Sequence, residues 1–331
     1  MTFSELIKRV AELAGCAYYT NSGQGEAEVP IDRHDLDKCK RVVNDAVRMF
    51  ISDSPVKGSK WMRRLMLVTF DPTGGGVDNI DNDPARYMLP SHFGGTVDGP
   101  VRYAANTTTG AWIEWADEAF IRSRRTPVVN TGYPLFAAIL PYEPSSSVLT
   151  SSRRWEIIVD PQPVAAHAIT FPYTLHFDDM RIEAGEADSG SSTTLVDSSR
   201  TEADDFFNGW VMRIVDGTGK GQVATITDFS DGTFTFAAVT TAIDSTSVYV
   251  IEPAGNLHPA GRQFDDAVLW ACKAAAETQF ESVMGNHMQY YRQVALPNAH
   301  AIDARSGPRK LGRHGVVQER IWTTVTYNPR T

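Results

Sequence analysis

Residues 210–228 read WVMRIVDGTGKGQVATITD, and the link between the two apolar runs decides the fold. A lysine set among glycines just after a strand-like run raises the question of a phosphate-cradling loop. Such a loop needs GxxxxGK followed by Ser or Thr, whose hydroxyl holds magnesium, and it opens into a helix whose N-terminus faces the phosphate. Here Gly221 follows Lys220, Ile214 stands five positions before Gly219, and QVATITDFS alternates as a strand. The stretch therefore predicts a hairpin connection, with the glycines supplying positive φ and Lys220 in solvent, and it speaks against an NTPase.

Working outward, Trp210–Val215, Gln222–Asp228, Thr233–Val239 and Val248–Glu252 form four strand candidates in quick succession, with Trp210, Met212 and Ile214 on one face and Val211, Arg213 and Val215 on the other. The acidic, Ser/Gly-rich EAGEADSGSSTT precedes them as a boundary, so residues 184–254 read as a small all-β module inserted into a larger fold. Upstream, WMRRLMLVTF, GAWIEWAD, GYPLFAAILP, RWEIIVDPQP and ITFPYTLHF make residues 59–183 β-rich, with Pro172 demoting part of the last strand to an edge. Helical spacing appears at both ends. Thr2 and Glu5 have capping-box spacing before Phe3, Leu6, Ile7, Val10 and Leu13, with Gly15 as the stop. Leu36, Cys39, Val43, Val47 and Phe50 mark a second helix from about Asp35 to Ile51. After Pro259, Phe264, Val268, Leu269, Cys272 and Ala276 mark a third, and Met288, Tyr291 and Val294 a fourth that Pro297 interrupts. The expected class is α+β: terminal helices (1–58 and 255–305) forming a helical bundle, a β-rich central region, the inserted β module, and a basic docking tail over 306–331.

With 42% hydrophobic and 21% charged residues the chain has the balance of a globular protein. The longest apolar runs, such as Tyr133–Tyr142, are too short to span a bilayer, so no membrane association is expected. Cys16, Cys39 and Cys272 show no CxxC spacing, which suggests neither a disulfide framework nor a zinc site and points to a reducing cytosol. A net charge of −9 argues against general nucleic-acid binding.

Reactive constellations are weakly supported. EWADE, with Trp112 and Trp115, offers Glu114 with Asp117 or Glu118 as a glycosidase-like carboxylate pair on an aromatic platform, but nothing in the spacing fixes their separation. The simpler reading is a strand with Trp115 packed inward, followed by a solvated turn. The histidines, including His167, His176, His287 and His300, form no metal-ligand spacing, and PSSSVLTSS lacks a nucleophile-elbow context. No catalytic residue, metal or cofactor is expected. The charge asymmetry is more telling: from His300 onward Arg305, Arg309, Lys310, Arg313, Arg320 and Arg330 face only Asp303 and Glu319, six against two, a net +4 on an acidic body. A basic tail of this kind suits docking on an acidic partner. The alternation of Ile321, Thr323, Val325 and Tyr327 suits addition to a sheet.

The order of two N-terminal helices, a β-rich centre containing YMLPSHFGGTVDGPVRY, and the closing RQFDDAVLWACKAAAETQFESVMG…AIDARSGPRKLG resembles the head-to-tail adaptor (connector) proteins of tailed bacteriophages. Leu89–Phe93, and Asp303 and Arg305 before PRKLG, carry most of the likeness. Residues 194–236 resemble a small β domain found as an insert in virion proteins. The resemblance implies a non-enzymatic virion protein at the head–tail junction, assembled in the host cytoplasm as a ring, expected to be a dodecamer. Its implied partners are the portal protein above and tail or nozzle proteins below. Arg305, Arg309, Lys310, Leu311 and Arg313 become portal-interface candidates. Genomic DNA would pass through the channel without sequence-specific binding, since an acidic wall leaves it mobile. The alternative is a receptor- or carbohydrate-binding tail protein that uses the β module.

Overall fold

The computed structural model describes residues 1–19, 27–54, 59–76, 78–90, 92–97, 99, 101–104, 112–125, 129–142 and 154–305. Helix α1 (Phe3–Ala14) begins where Thr2 Oγ1 accepts the Glu5 N–H (3.1 Å) and the Glu5 carboxylate accepts the Thr2 N–H (2.8 Å), and it ends at left-handed Gly15. Helix α2 (Arg33–Ser52) is capped by Asp32, which accepts the N–H groups of His34 and Asp35. Between the helices β1 (Tyr18–Tyr19) pairs antiparallel with β2 (Ala27–Glu28). Phe3, Leu6, Ile7 and Val10 of α1 and Leu36, Val43 and Phe50 of α2 enter one core.

The centre is a nine-stranded sheet that curls into a half-barrel. In chain order its strands are β3 (Arg63–Thr69), β4 (Asn79–Ile80), β5 (Asp83–Met88), β6 (Phe93–Val97), β7 (Val101–Tyr103), β8 (Trp112–Trp115), β10 (Phe136–Tyr142), β11 (Arg154–Asp160) and β13 (Ala168–Leu175). The short β9 (Thr131–Gly132) and β12 (Gln162–Pro163) pair with each other. The spatial order is β3-β13-β7-β8-β10-β11-β5-β4, with β6 also on β13. Met66, Val68, Tyr87, Ile157, Ile169 and Phe171 fill the concave core by simple alternation. Helix α3 (Glu118–Arg124) covers part of the other face through Ile121, packed on Ala138 and Ile158.

The strand reading of ITFPYTLHF stands, but Pro172 does not sit at an edge. β13 has β3 on one side and β6 and β7 on the other. Phe70 N–H donates to the His167 carbonyl, and Ala104 N–H to the Ala168 carbonyl. Alternation from those bonds turns the Pro172 nitrogen toward β6 and β7, between the last β7 partner, Thr170, and the first β6 partner, Tyr173. The missing donor falls in a gap in the ladder, which is how an interior strand tolerates a proline.

A seven-stranded antiparallel sheet follows: β14 (Glu183–Glu186), β15 (Ser189–Gly190), β16 (Thr194–Val196), β17 (Trp210–Asp216), β18 (Val223–Ser230), β19 (Thr233–Phe236) and β20 (Val248–Pro253), in the order β14-β20-β17-β18-β19-β16-β15. Phe207, a residue 0% exposed, meets Phe229, Phe234 and Trp210 edge-on or tilted in its core. Helix α4 (Asp265–Glu281) then returns to α1 and α2, followed by α5 (Asn286–Tyr290), a π turn (Tyr291–Ala295) and α6 (Leu296–Arg305).

The expected terminal helical bundle does not form. The chain is a β-rich α+β fold, and its helices share their core with a sheet instead of closing one among themselves. Strand β20 shows why. Val248 and Val250 point into the helical core beside Ile182, Ala184 and Val215, while Tyr249 and Ile251 point into the core of the β module. Both faces of the strand are apolar, so the sheet is buried on both sides at this strand, and the α1 and α2 faces find a sheet to cover as well as another helix. Pro297 likewise does not interrupt the last helix. The π turn shifts the hydrogen-bond ladder ahead of it, so Pro297 falls in the first turn of α6, where no N–H is required. Helix α3 replaces the solvated turn expected after EWAD.

The DGTGKGQ stretch forms the β17–β18 hairpin. Gly217, Gly219 and Gly221 have φ of 73°, 80° and 86°, and Gly221 N–H donates to the Ile214 carbonyl (2.8 Å). A Cβ on Gly217 would stand 1.8 Å from the Thr246 carbonyl oxygen. Gly217→Ala is therefore expected to lower stability by about 2 kcal/mol or more, from the left-handed φ and the backbone clash together. Urea denaturation measures it, and a loss no larger than that of Gly221→Ala, which meets nothing within 4 Å, contradicts the steric part.

Candidate functional site

Two kinds of surface come out of this fold: a charged seam between α2 and the β module, and exposed apolar patches. The seam encloses a cleft of about 500 Å³ between α2 and residues 179–183. Lys40 and Arg48 are paired with its carboxylates. Lys40 Nζ reaches both Asp37 (2.7 Å) and Glu183 (2.8 Å), and Arg48 pairs with Asp45 and Asp179. Asn44 exchanges two backbone bonds with Met180, like one rung of a ladder (3.1 and 3.0 Å).

Behind the seam lies a buried ionic network. Arg200 Nη1 donates to Glu183 (3.1 Å), Nη2 to the Ala184 carbonyl (2.6 Å), and Nε to Tyr249 Oη (3.0 Å) and Asp197 (3.3 Å); Tyr249 in turn donates to Asp197. Burial works against the Asp197 charge, but hydrogen bonds from Ser199 and Tyr249, with Arg200 nearby, hold its carboxyl below the usual range. Burial likewise opposes the Arg200 charge, yet Tyr249 and Glu183 keep its pKa above the ordinary value. Every member is satisfied by a neighbour, which makes the cluster a clamp between helix layer and module and leaves no group poised to attack a substrate.

The sequence-predicted residues are scattered. Trp112 and Glu114 sit on the exposed face of β8, while Trp115 packs edge-on against Phe171 and donates to the Gly99 carbonyl (2.9 Å). Glu118 is paired with Arg122 (2.9 Å) on α3, and Asp117 is exposed ahead of that helix. Lys220 lies 3.8 Å from Asp216 in the hairpin. Among the described residues no three His, Cys, Asp or Glu are placed to hold a metal ion, and no helix is long and apolar enough to cross a membrane. Cys16 and Cys39, distant in sequence, come together with sulfurs 3.7 Å apart. Of the portal-interface candidates, Arg305 is exposed at the end of α6; Arg309, Lys310, Leu311 and Arg313 lie outside the described residues, as do Ile321, Thr323, Val325 and Tyr327.

The apolar patches escaped sequence reading because apolar residues were assigned to cores. On the convex face of the curled sheet Leu65 (74% exposed) and Leu67 (63%) stand opposite Pro172 and Thr170, and the row continues through Arg102 to Trp112 (64%). In WMRRLMLVTF the signal was present: Leu65 and Leu67 alternate with Met66 and Val68, so both faces of the strand are apolar. A second apolar surface lies on the C-terminal helices, where Val283 (56%) and Met284 (64%) project from the α4–α5 turn and Phe280 and Tyr290 are also exposed. That turn is rigid. The buried Glu277 carboxylate accepts the N–H groups of Gly285 (3.0 Å), Met288 (3.2 Å) and His287 (3.4 Å). Burial tends to raise its pKa, but those three donors outweigh burial and hold it below the ordinary value. A Cβ on Gly285 would stand 2.2 Å from that carboxylate.

Compared with protein-family models, curated proteins and solved structures, the chain matches none of them. The functional reading therefore rests on the surfaces just described.

Proposed function

We propose that the chain is a ring-forming structural protein of a tailed-phage virion, a head-to-tail adaptor that binds the portal, extends its channel and offers the tail an attachment surface. The observation that carries this reading is the presence of two unlike exposed apolar patches on different elements, the Leu65, Leu67 and Trp112 row and the Val283 and Met284 tip. Large apolar side chains left exposed in groups mark association. Closing a ring by rotation needs two different faces on each subunit, whereas a two-fold dimer needs only one. The sealed charge networks fit an assembly part better than a catalyst, and the exposed Arg305 at the end of α6 stands at the head of the basic segment that this reading assigns to the portal. Ring size, expected to be twelve, and the tail components beneath are part of the proposal.

The test is the native mass of the purified chain alone and with the portal protein of the same phage. A ring on the portal is expected, and removal of residues from Ser306 onward is expected to weaken portal binding at least ~100-fold, while Glu114→Ala leaves it unchanged. A chain that stays monomeric with portal present, or binds equally well without its tail, ends this reading.

A second reading has one observation in its favour. Phe206, exposed, and half-buried Trp210 pack at 5.8 Å, with Arg181 5.9 Å from the Phe206 ring, on the outside of the β module. Such a platform suits a sugar face, and host-cell binding abolished by Trp210→Ala would favour a receptor-binding role over the adaptor.

A further inference from the structure

Cys16 and Cys39 are 23 positions apart in the chain, yet their sulfurs stand 3.7 Å from each other where the end of α1 meets α2. Local structure brings them there. Left-handed Gly15 ends α1, and the Cys16 N–H donates to the Ala11 carbonyl (3.0 Å), which closes the last turn and sets Cys16 against the helical core. Cys39 shares the buried stripe of α2 with Leu36 and Val43.

The two thiols differ in access. Cys16 is partly exposed, whereas Cys39 is buried (0% exposed). Burial first, and then the Cys16 sulfur beside it, push the Cys39 thiol well above the ordinary range. Cys39 is therefore not the sulfur that an oxidant in solution meets first. The third thiol, Cys272 on α4, is also buried, and burial pushes it up to about 12.

We propose that Cys16 and Cys39 form an oxidative cross-link within one chain, with a hydroperoxide as the oxidant and Cys16 as the sulfur that meets it. The Cys16 thiolate attacks one oxygen of hydrogen peroxide and the O–O bond breaks. Hydroxide leaves and combines with the thiol proton as water, and Cys16 becomes a sulfenic acid. The Cys39 sulfur then attacks the Cys16 sulfur, the S–O bond breaks as the S–S bond forms, and the Cys39 proton leaves with the hydroxyl as a second water. Two electrons pass from the sulfurs to the peroxide, so two thiols and one hydrogen peroxide give one disulfide and two waters. The sulfurs must close by about 1.7 Å to the roughly 2.05 Å of a disulfide. Cys16 supplies that movement because it lies past the end of α1, outside any helix. The link closes residues 16–39 into a ring and fastens the exit of α1 to α2, so it acts chiefly by restricting the unfolded chain. It requires the fold alone and no partner, so its failure and that of the adaptor reading are separate results.

Treatment of the purified full chain with hydrogen peroxide tests it. The chain is then denatured, its remaining thiols are blocked with N-ethylmaleimide, and its peptides are read by mass. The expected product is a linked peptide pair carrying Cys16 and Cys39, lighter by two hydrogens than its parts, with N-ethylmaleimide on Cys272 alone. The thermal midpoint is expected to rise by roughly 4 °C or more and to return with dithiothreitol. Cys16→Ser, a change at a partly exposed position, should show no such rise under the same treatment, which separates the cross-link from oxidation of methionine. An equal rise in Cys16→Ser overturns the proposal. So does label on all three cysteines, Cys16 carried on to a sulfinic acid with Cys39 still labelled, a Cys16–Cys16 link between chains, or a link from either sulfur to Cys272.

Discussion

Arg200→Met is expected to lower the stability of the folded chain by about 3–5 kcal/mol, the usual result of removing one partner from a buried ionic cluster. The methionine fills much of the space, so the loss is electrostatic. Asp197 loses its cationic neighbour while keeping the hydrogen bonds from Ser199 and Tyr249, the Ala184 carbonyl loses the guanidinium donor, and Glu183 keeps only Lys40. Because Glu183 joins the network to α2, the variant also loosens the seam between the helix layer and the β module. The deficit depends on pH with a definite sign. In the wild-type chain the lowered Asp197 pKa adds stability that is full above the ordinary value of 3.8 and fades as pH falls through the depressed one. Without Arg200 burial acts on Asp197 with less to oppose it, its pKa rises, and protonation relieves the variant, so the gap to wild type narrows in acid. Urea denaturation from pH 7 downward measures both effects. Adding Asp197→Asn should recover part of the loss, since it removes the stranded charge. A loss below about 1 kcal/mol at pH 7 would mean that water reaches the guanidinium and that the clamp is ordinary surface chemistry.

Val283→Asp/Met284→Asp is expected to weaken ring assembly at least ~100-fold, as charge does when placed at the centre of an apolar contact. It should leave the monomer within about 0.5 kcal/mol of wild type, because both side chains are exposed before assembly. The turn that carries them is held from beneath by Glu277, which neither substitution touches. Sedimentation velocity reads the first effect and denaturation the second. Rings that persist in the double variant would remove the Val283 and Met284 tip from the interface. The adaptor reading would then lose one of the two faces on which it stands.

Much of the local structure was legible before any coordinates. The capping box at Thr2 and Glu5, the stop at Gly15, and the period-two runs of the β module all turn on bonds between near neighbours, and each appears where the residues place it. The rejection of a phosphate loop at Lys220 was equally local: three glycines and a following strand can only make a connection of that kind. The errors came where a segment's neighbours are remote in sequence. Pro172 looked like an edge residue because the gap between β6 and β7 that accommodates it is made by residues more than seventy positions earlier. The terminal helices looked like a bundle because their apolar stripes do not say whether a helix or a sheet will cover them.

The sequence by itself determined the type of the long helices α1, α2 and α4 and of the longer strands, the hairpin at 216–222 and the acidic body with its basic tail, because propensity, capping and charge are written in adjacent residues. Only the tertiary structure decided that β20 serves two cores at once, that Arg200 is clamped among Glu183, Asp197 and Tyr249, and that Leu65, Leu67, Val283 and Met284 stay outside. Burial is a property of what lies across from a side chain. In this fold what lies across is almost always another stretch of the chain, brought there by sheet pairing that no local pattern encodes.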